Sequence, residues 1–241
     1  ELQILLREGQ PFNSYVGLKR IGYFQNMEEI ENAAVPVGLN VQPGDNRYLD
    51  INGDGVIDDN DKVIFGNPFP RYTFGFNYDL QVSNFDLSIF LQGVGKRTMM
   101  LRGELVEAFH SNYGMTMYEH QLDYWTPLNP DARYPRIANS GTHSIENNFK
   151  RGSDMFLYDG AYLRVKNVQI GYSLPQNVVE TLGLTKFRTY LTGQNLLTFS
   201  KVGFVDPEIS EFDSNLRQSG ANSGRAYPTM VYYGLGLDII F

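Results

Sequence analysis

The amino-acid sequence predicts an all-β fold, a transmembrane antiparallel β-barrel, and three observations lead to it. The last twelve residues, 230–241, alternate strictly, carry an unbroken apolar face and end on Phe241. A period of two over this length is typical of a β-strand. The other two observations are a regular difference in loop lengths and a composition rich in Tyr and Phe, both typical of barrels in a membrane.

Six further segments have strand character, so that seven strands are predicted in all. In the clearest one, 71–82, every even position is apolar and every odd position is polar or glycine. In 161–174 the apolar positions change from odd to even, and a β-bulge near Lys166-Asn167 would reconcile the two halves. The seven segments are 1–7, 14–24, 71–82, 85–92, 161–174, 186–198 and 230–241.

The connections between these strands alternate between short and long. If the chain ends on the periplasmic side, all the short connections are periplasmic and all the long ones are external, which is the outer-membrane pattern. The short ones are 8–13, 82–84 and 175–185, and the long ones are 25–70, 95–160 and 199–229. A bacterial single-chain barrel has an even number of strands, at least about eight, so we expect further strands outside this chain.

Composition and motifs exclude several classes of function. The net charge of −7 argues against a nucleic-acid partner, and the absence of cysteine excludes disulfides and thiolate metal sites. The sequence contains no run of about 18 apolar residues, so it does not predict a transmembrane helix. The sequence has no nucleophile-elbow, phosphate-loop or dinucleotide motif, and its histidines (His110, His120 and His143) lack the spacing of a zinc site. We therefore expect a protein that is not an enzyme.

Residues 50–61 match the EF-hand calcium loop position by position. The positions that supply ligands hold Asp50, Asn52, Asp54, the carbonyl of Val56, Asp58 and Asp61. Hard oxygen donors at this spacing are typical of Ca²⁺, while the shorter reach of Asp61 compared with the usual Glu makes Mg²⁺ an alternative. The flanks do not resemble helices, so we expect an isolated structural loop within the external connection 25–70. An Asx-rich turn without metal is the other interpretation.

The stretch 118–136 combines the single Trp with Tyr, Pro and Arg. Because these aromatic residues and Arg are frequent at binding hot spots, Tyr124 and Trp125 are candidates for contact with a partner or substrate. The alternative is a loop held extended by proline, with its aromatic side chains packed on neighbouring residues.

A series of motifs runs in order through nearly the whole chain. The motifs are Gly44–Asp58, Phe65–Phe76, Phe85–Gly93, Tyr124–Pro130 with Tyr134–Arg136, Asp159–Pro175, Gly193–Leu197 with Asp206–Glu208, and the terminal strand. Together they resemble the C-terminal part of the SusC/RagA-type TonB-dependent outer-membrane transporters of Bacteroidetes. The resemblance implies that residues 1–241 are one portion of a barrel domain of about 22 strands, whose plug and upstream strands lie outside this chain.

The same resemblance implies a function and partners. It implies a location in the bacterial outer membrane, in contact with its lipid, and active import of oligosaccharides or peptides. TonB would energise import through the N-terminal part of the protein, and a SusD-like surface lipoprotein would act as a lid. Phe241 would belong to the signal read during barrel assembly. The alternative is a secreted, calcium-stabilised β-domain that binds glycans without transport and stays soluble without detergent.

Overall fold

The structure is a computed structural model that describes residues 3–5, 8–11, 13–109, 116–208 and 227–241, and most of its regular elements are strands. In chain order the strands are β1 (Gln3–Leu5), β2 (Ser14–Leu18), β3 (Arg20–Tyr23), β4 (Val35–Pro36), β5 (Asn46–Tyr48), β6 (Val56–Ile57), β7 (Lys62–Ile64), β8 (Tyr72–Val82), β9 (Phe85–Gly95), β10 (Thr98–Met100), β11 (Leu157–Asp159), β12 (Tyr162–Ser173), β13 (Lys186–Ser200) and β14 (Tyr232–Ile240). The α-helices are α1 (Met27–Glu31), α2 (His143–Ile145) and α3 (Gln176–Thr181). Helical turns of other types cover Asp59–Asp61, Gly103–Leu105, Glu119–Leu122, Glu146–Lys150 and Asp154–Phe156. Within the described ranges, no helix is both long enough and apolar enough to cross a membrane.

The chain divides into two compact units, which are described separately. The loop unit comprises 1–69, 98–158 and 209–227, and the sheet unit comprises 70–97, 159–208 and 228–241. The sheet unit contains the five long strands and α3. The loop unit contains α1, α2 and the short strands β1 to β7.

The sheet unit is one antiparallel sheet with the strand order β14-β13-β12-β9-β8. The connections at one end of its strands are short, 83–84 and 174–185, and those at the other end are long, 96–161 and 201–231. In the described part of the chain, β8 and β14 each have one edge without a partner strand. An open sheet with this pattern of connections is part of a barrel rather than a closed one. The all-β prediction is therefore confirmed, and so is the difference in loop length for the connections between these five strands. The predicted connections 8–13 and 25–70 do not join strands of this sheet.

The register of the five strands places their apolar residues on one face. Phe76 lies opposite Leu91, which in turn lies opposite Val165. At the β14 edge of the sheet, on the same face, Leu191 lies opposite Leu235. The other face is mostly polar. One row across it, with one residue from each strand in register, consists of Asp79, Ser88, Gln169, Thr192 and Gly234.

The predicted β-bulge is present in β12. The pairing of β12 with both of its neighbours shifts register between Val165 and Asn167. The extra residue, Lys166, changes the phase of the strand, so that Leu163 and Val168 lie on the same apolar face. The bulge therefore keeps this face continuous through the middle strand.

The two N-terminal strands differ from the prediction of seven barrel strands. β1 pairs with β2, and β2 pairs with β7, in a separate three-stranded sheet of the loop unit. Residues 1, 2, 6 and 7 lie outside the described residues. β1 has three residues and β2 has five, whereas a membrane-spanning strand needs about 9–11. Tyr15 and Leu18 of β2 are buried, so these residues belong to a core rather than to a lipid-facing surface.

The loop unit is packed like a water-soluble protein. Its buried side chains include Phe24, Met99, Leu101 and Phe156. A buried polar network joins the segment around Asn46 to α2 and the turn after it. Its hydrogen bonds run from Ser144 Oγ to Asp45 (2.8 Å), from Asn148 Nδ2 to Asp45 (2.9 Å), from Asn147 Nδ2 to Asn46 O (2.9 Å) and from Tyr48 Oη to Asn147 O (2.6 Å).

Candidate functional site

The apolar face of the sheet unit is a large exposed surface. Its exposed side chains include Phe74, Phe76, Leu80, Ile170, Leu191, Leu197, Phe199, Leu235 and Leu237. Among the residues that pair in register across the five strands, this face carries no Asp, Glu, Lys or Arg. Soluble monomers rarely expose a contiguous apolar patch of more than a few hundred Å². The face therefore suits contact with lipid hydrocarbon.

An ionic cluster lies on the opposite, polar face, at the end of the strands with the long connections. Its centre is Arg164 of β12, which is only 3% exposed. The guanidinium donates to Asp206 (2.6 Å), Glu208 (2.6 Å) and the hydroxyl of Thr198 (2.7 Å). Lys166, the bulge residue, also contacts Glu208 at 2.8 Å. These contacts fix the segment around residues 206–208 to β12.

Asp206 joins both ends of the connection between β13 and β14. Its carboxylate accepts the backbone N–H groups of Glu208 (2.9 Å) and Thr229 (2.8 Å). Burial raises the pKa of Asp206, but the hydrogen bonds from Glu208, Arg164 and Thr229 outweigh it and bring the pKa to about 2. The carboxyl group is therefore ionised at physiological pH, and the cluster stays charged.

A second ionic group lies at the other end of the polar face. Arg188 of β13 donates to Asp86 of β9 (2.6 and 2.9 Å) and to Asp238 of β14 (3.0 Å). To reach Asp86 it must cross β12, which carries glycine at this point. A Cβ atom on Gly171 would lie 2.4 Å from Asp86 Oδ1 and 2.6 Å from Arg188 Nη2, so a larger residue there would block the ion pair. Gly171 thus allows one arginine to link three strands.

The predicted metal loop is folded by its own backbone N–H groups. Asp50 accepts the N–H groups of Gly53 (2.7 Å) and Gly55 (2.9 Å). Asp61 is fully buried, and its two oxygens accept the N–H groups of Ile51 (2.8 Å) and Asp58 (2.9 Å). Asp50 and Asp61 therefore hold the loop in shape by accepting its backbone N–H groups.

The donor chemistry of this loop fits a hard cation. Carboxylate, amide and carbonyl oxygens are the ligands of Ca²⁺ and Mg²⁺, and each carboxylate oxygen that accepts one N–H retains a further lone pair. Among the residues that the structure describes, no three or more Asp, Glu, His or Cys side chains are grouped so that they could hold a metal ion. A metal would therefore have to draw Asp50, Asp54 and Asp61 closer together.

Trp125 is a core residue rather than an exposed contact. It is 8% exposed, packs with Tyr23 and Ala132, and donates its indole N–H to Gln25 Oε1 at 3.1 Å. Gly44 lies against the indole ring, where an added Cβ would come within 2.2 Å of Cε3. Tyr124 is half-buried and lines a small cavity. Trp125 therefore stabilises the loop unit by packing in its core.

Phe241 follows directly after β14 and is 89% exposed. Its side chain continues the apolar parity of Leu235, Leu237 and Ile239. Its position is therefore compatible with a role in assembly, which stays a prediction.

Comparisons with known proteins agree with this geometry. No protein-family model matches the chain. The chain is 34% identical to TonB-dependent receptor P3 of Formosa agariphila over 241 residues, which is 98% of this chain and 23% of that protein. It is 28% identical to TonB-dependent receptor SusC of Bacteroides thetaiotaomicron over 232 residues, 95% of this chain and 21% of SusC. The chain thus spans less than a quarter of the length of these relatives.

Solved structures share the fold. The structure of the RagAB peptide transporter matches with a TM-score of 0.67 at 18% identity, covering 95% of this chain and 23% of the solved one. The RagAB peptide importer in its "open-open" state matches with a TM-score of 0.64 at 17% identity, covering 97% and 23%.

The sheet and its apolar face define the chain as a segment of an outer-membrane β-barrel. The relatives then identify it as a homologue of TonB-dependent receptors, SusC among them, and the RagAB structures share its fold. The predicted fold class and outer-membrane location are thereby confirmed. The relatives are receptors and transporters and not enzymes, in agreement with the sequence analysis.

Proposed function

We propose that the full-length protein imports a nutrient across the outer membrane, and that this chain forms part of the barrel wall. The observation that carries the proposal is the continuous apolar face over five antiparallel strands, with a polar face behind it. A wall of this kind suits lipid on one side and an aqueous path on the other. TonB would supply the energy, acting through a part of the protein outside this chain.

The proposed partner is a surface lipoprotein of the SusD type, and the proposed substrates are oligosaccharides or peptides. Two comparisons support this choice. SusC is among the relatives, and the structural neighbour named RagAB is a peptide transporter. The long connections of the chain lie at the end of the sheet where such a lid would sit.

An uptake experiment tests the function. The gene for the full-length receptor is deleted, and the cells are supplied separately with oligosaccharides and with peptides. Loss of growth on one class, restored by the intact gene but not in cells without TonB, is the expected result. Unchanged growth on both classes would contradict import as the function.

The alternative, a secreted glycan-binding domain, makes a different physical prediction. A secreted domain stays in solution without detergent, whereas the exposed apolar face of the sheet unit should require it. Extraction of the protein from membranes with salt alone would favour the alternative.

We also propose that residues 50–61 bind Ca²⁺, or Mg²⁺, in a structural role. The support is the match of the sequence to the EF-hand loop and its oxygen-only donor set. Asp54→Ala should abolish metal protection of this loop against proteolysis. Asp59→Ala is the matched control, because Asp59 lies in the same loop at a position that supplies no ligand and its side chain is exposed.

Calcium titration of the purified full-length protein, followed by calorimetry and proteolysis, gives the result. Binding that is lost in Asp54→Ala and kept in Asp59→Ala supports the site. Absence of binding in the unmodified protein at millimolar Ca²⁺ and Mg²⁺ would show that the loop is an Asx-rich turn.

A further inference from the structure

Leu128 is the most exposed large apolar side chain among the described residues, at 97%. It lies at the tip of the turn Thr126–Asn129 in the loop unit, next to Pro127 and two residues before Pro130. Single exposed leucines are common on protein surfaces and need no explanation by themselves. What is unusual about Leu128 is that hydrogen bonds and buried side chains hold its turn in place.

Hydrogen bonds brace the turn. Thr126 and Asn129 exchange backbone bonds, N–H of Asn129 to the carbonyl of Thr126 at 2.9 Å and the reverse at 3.4 Å. The amide of Asn129 donates to Asp123 Oδ1 at 2.9 Å and to the carbonyl of Tyr124 at 3.4 Å. Asp123 also accepts the backbone N–H of Arg133 at 3.3 Å. The two arms of the turn are thus tied together on both sides.

The base of the turn is anchored in the core. The backbone N–H of Trp125 donates to the carbonyl of Tyr134 at 2.9 Å, and that of Tyr134 donates to the carbonyl of Asp123 at 3.0 Å. The side chains of Trp125 and Tyr134 are both buried. A partner that binds Leu128 would therefore pay little entropy for ordering this turn, which is the advantage of a preorganised contact.

The sequence on either side of the turn is acidic. Glu119, Asp123 and Asp131 are exposed, and Arg133 is the only Lys or Arg between residues 118 and 133. Complementary charge would favour a partner whose apolar pocket has a basic rim. The turn belongs to the connection 96–161, one of the long connections that the loop lengths indicate are external.

We propose that Leu128 is the anchor with which the receptor docks its external partner protein, by filling an apolar pocket with a basic rim. The inference rests on the proposed function, because the partner there is the surface lipoprotein. In this proposal the contact is made by Leu128 and not by Trp125. The buried Trp125 holds the base of the turn in place. A rigid apolar anchor in a pocket is a common centre of a protein interface.

The test uses the full-length receptor and its lipoprotein, purified in detergent. The apparent Kd of the lipoprotein is measured for three variants. Leu128→Asp should raise it at least tenfold. Leu182→Asp, the matched control, should leave it unchanged, because Leu182 is 58% exposed but lies in the short connection 174–185. Surface level and resistance to heat should be normal in both, since neither side chain is buried.

A third variant separates docking from a general surface effect. Asn129→Ala keeps Leu128 but removes the two side-chain bonds that brace the turn. It should weaken binding several-fold, less than Leu128→Asp. An unchanged Kd in Asn129→Ala would show that the turn is not a preorganised anchor.

The possible failures are distinguishable. If the unmodified receptor binds no lipoprotein, the proposed partner is wrong and the Leu128 inference falls with it. If the unmodified receptor binds and Leu128→Asp binds equally well, only the Leu128 inference is overturned. A photo-crosslinker at position 128 that captures a second copy of the receptor instead of the lipoprotein would also overturn it.

Discussion

The sheet unit and the loop unit bury their apolar residues in opposite ways. In the sheet unit, Phe76, Leu191 and Leu235 are exposed, and buried charge, such as Arg164, lies on the polar face. In the loop unit, Phe24 and Phe156 are buried in an ordinary core. The difference follows from the solvent that each unit meets, because hydrocarbon around the sheet removes the reason to hide apolar surface. Burial alone therefore distinguishes the membrane part from the water-exposed part within one chain.

Among substitutions that test this difference between the two units, the largest effect is expected at Phe241. Phe241→Asp should block insertion of the barrel, because it places a charge on the exposed apolar face that Leu235, Leu237 and Ile239 of β14 present to hydrocarbon. Tyr227→Asp is the control, since Tyr227 is also largely exposed, at 81%, but precedes β14. Surface labelling of whole cells measures the outcome. A normal surface level of Phe241→Asp would show that this residue is no assembly signal.

The next largest effect concerns charge within the sheet unit. Arg164→Met should destabilise the protein by about 3–5 kcal/mol, because it leaves Asp206 and Glu208 with too little positive charge in a buried site. Lys201→Met is the control, because the pair of Lys201 with Asp159 is exposed and should contribute nothing measurable. Denaturant unfolding in detergent compares the two variants, and equal stabilities would contradict a structural role for the cluster.

The smallest effect tests the core of the loop unit. Gly44 and Gly38 both have positive φ, +88° and +73°, so alanine at either should cost about 1–2 kcal/mol of strain. Gly44→Ala should cost about 1–3 kcal/mol more, since its Cβ would overlap Trp125, whereas Gly38 faces open space. Limited proteolysis should show the difference in the loop unit only. Equal protection of the two variants would mean that Trp125 is not packed as described.

The sequence predicted the sheet unit well because its signal is local. The change of phase around Lys166 was visible within one strand, and the bulge lies there. The contacts that organise the rest are distant in sequence. Arg164 and Asp206 are 42 residues apart, and Tyr48 and Asn147 are 99 apart, with no periodic pattern to link them.

The sequence alone did not show strand length or side-chain burial. Alternation in 14–24 indicated a strand, but not that β2 is too short to cross a membrane. The composition around Trp125 indicated a binding hot spot, yet a large aromatic side chain serves a core equally well. The exposed position of Leu128 depends on how the turn is braced, which the sequence does not show.

The central claim is that β8 has one face toward lipid and one toward the barrel interior. Because the chain contains no cysteine, single cysteines at 72–82 can each carry a spin label in the full-length receptor, provided that any cysteines elsewhere are replaced. Accessibility to oxygen and to a water-soluble nickel complex is then measured in membranes. Oxygen access should be high at even positions such as Phe76 and low at odd positions such as Asn77, with a period of two. Uniform access to the nickel complex along β8 would contradict a membrane-spanning strand.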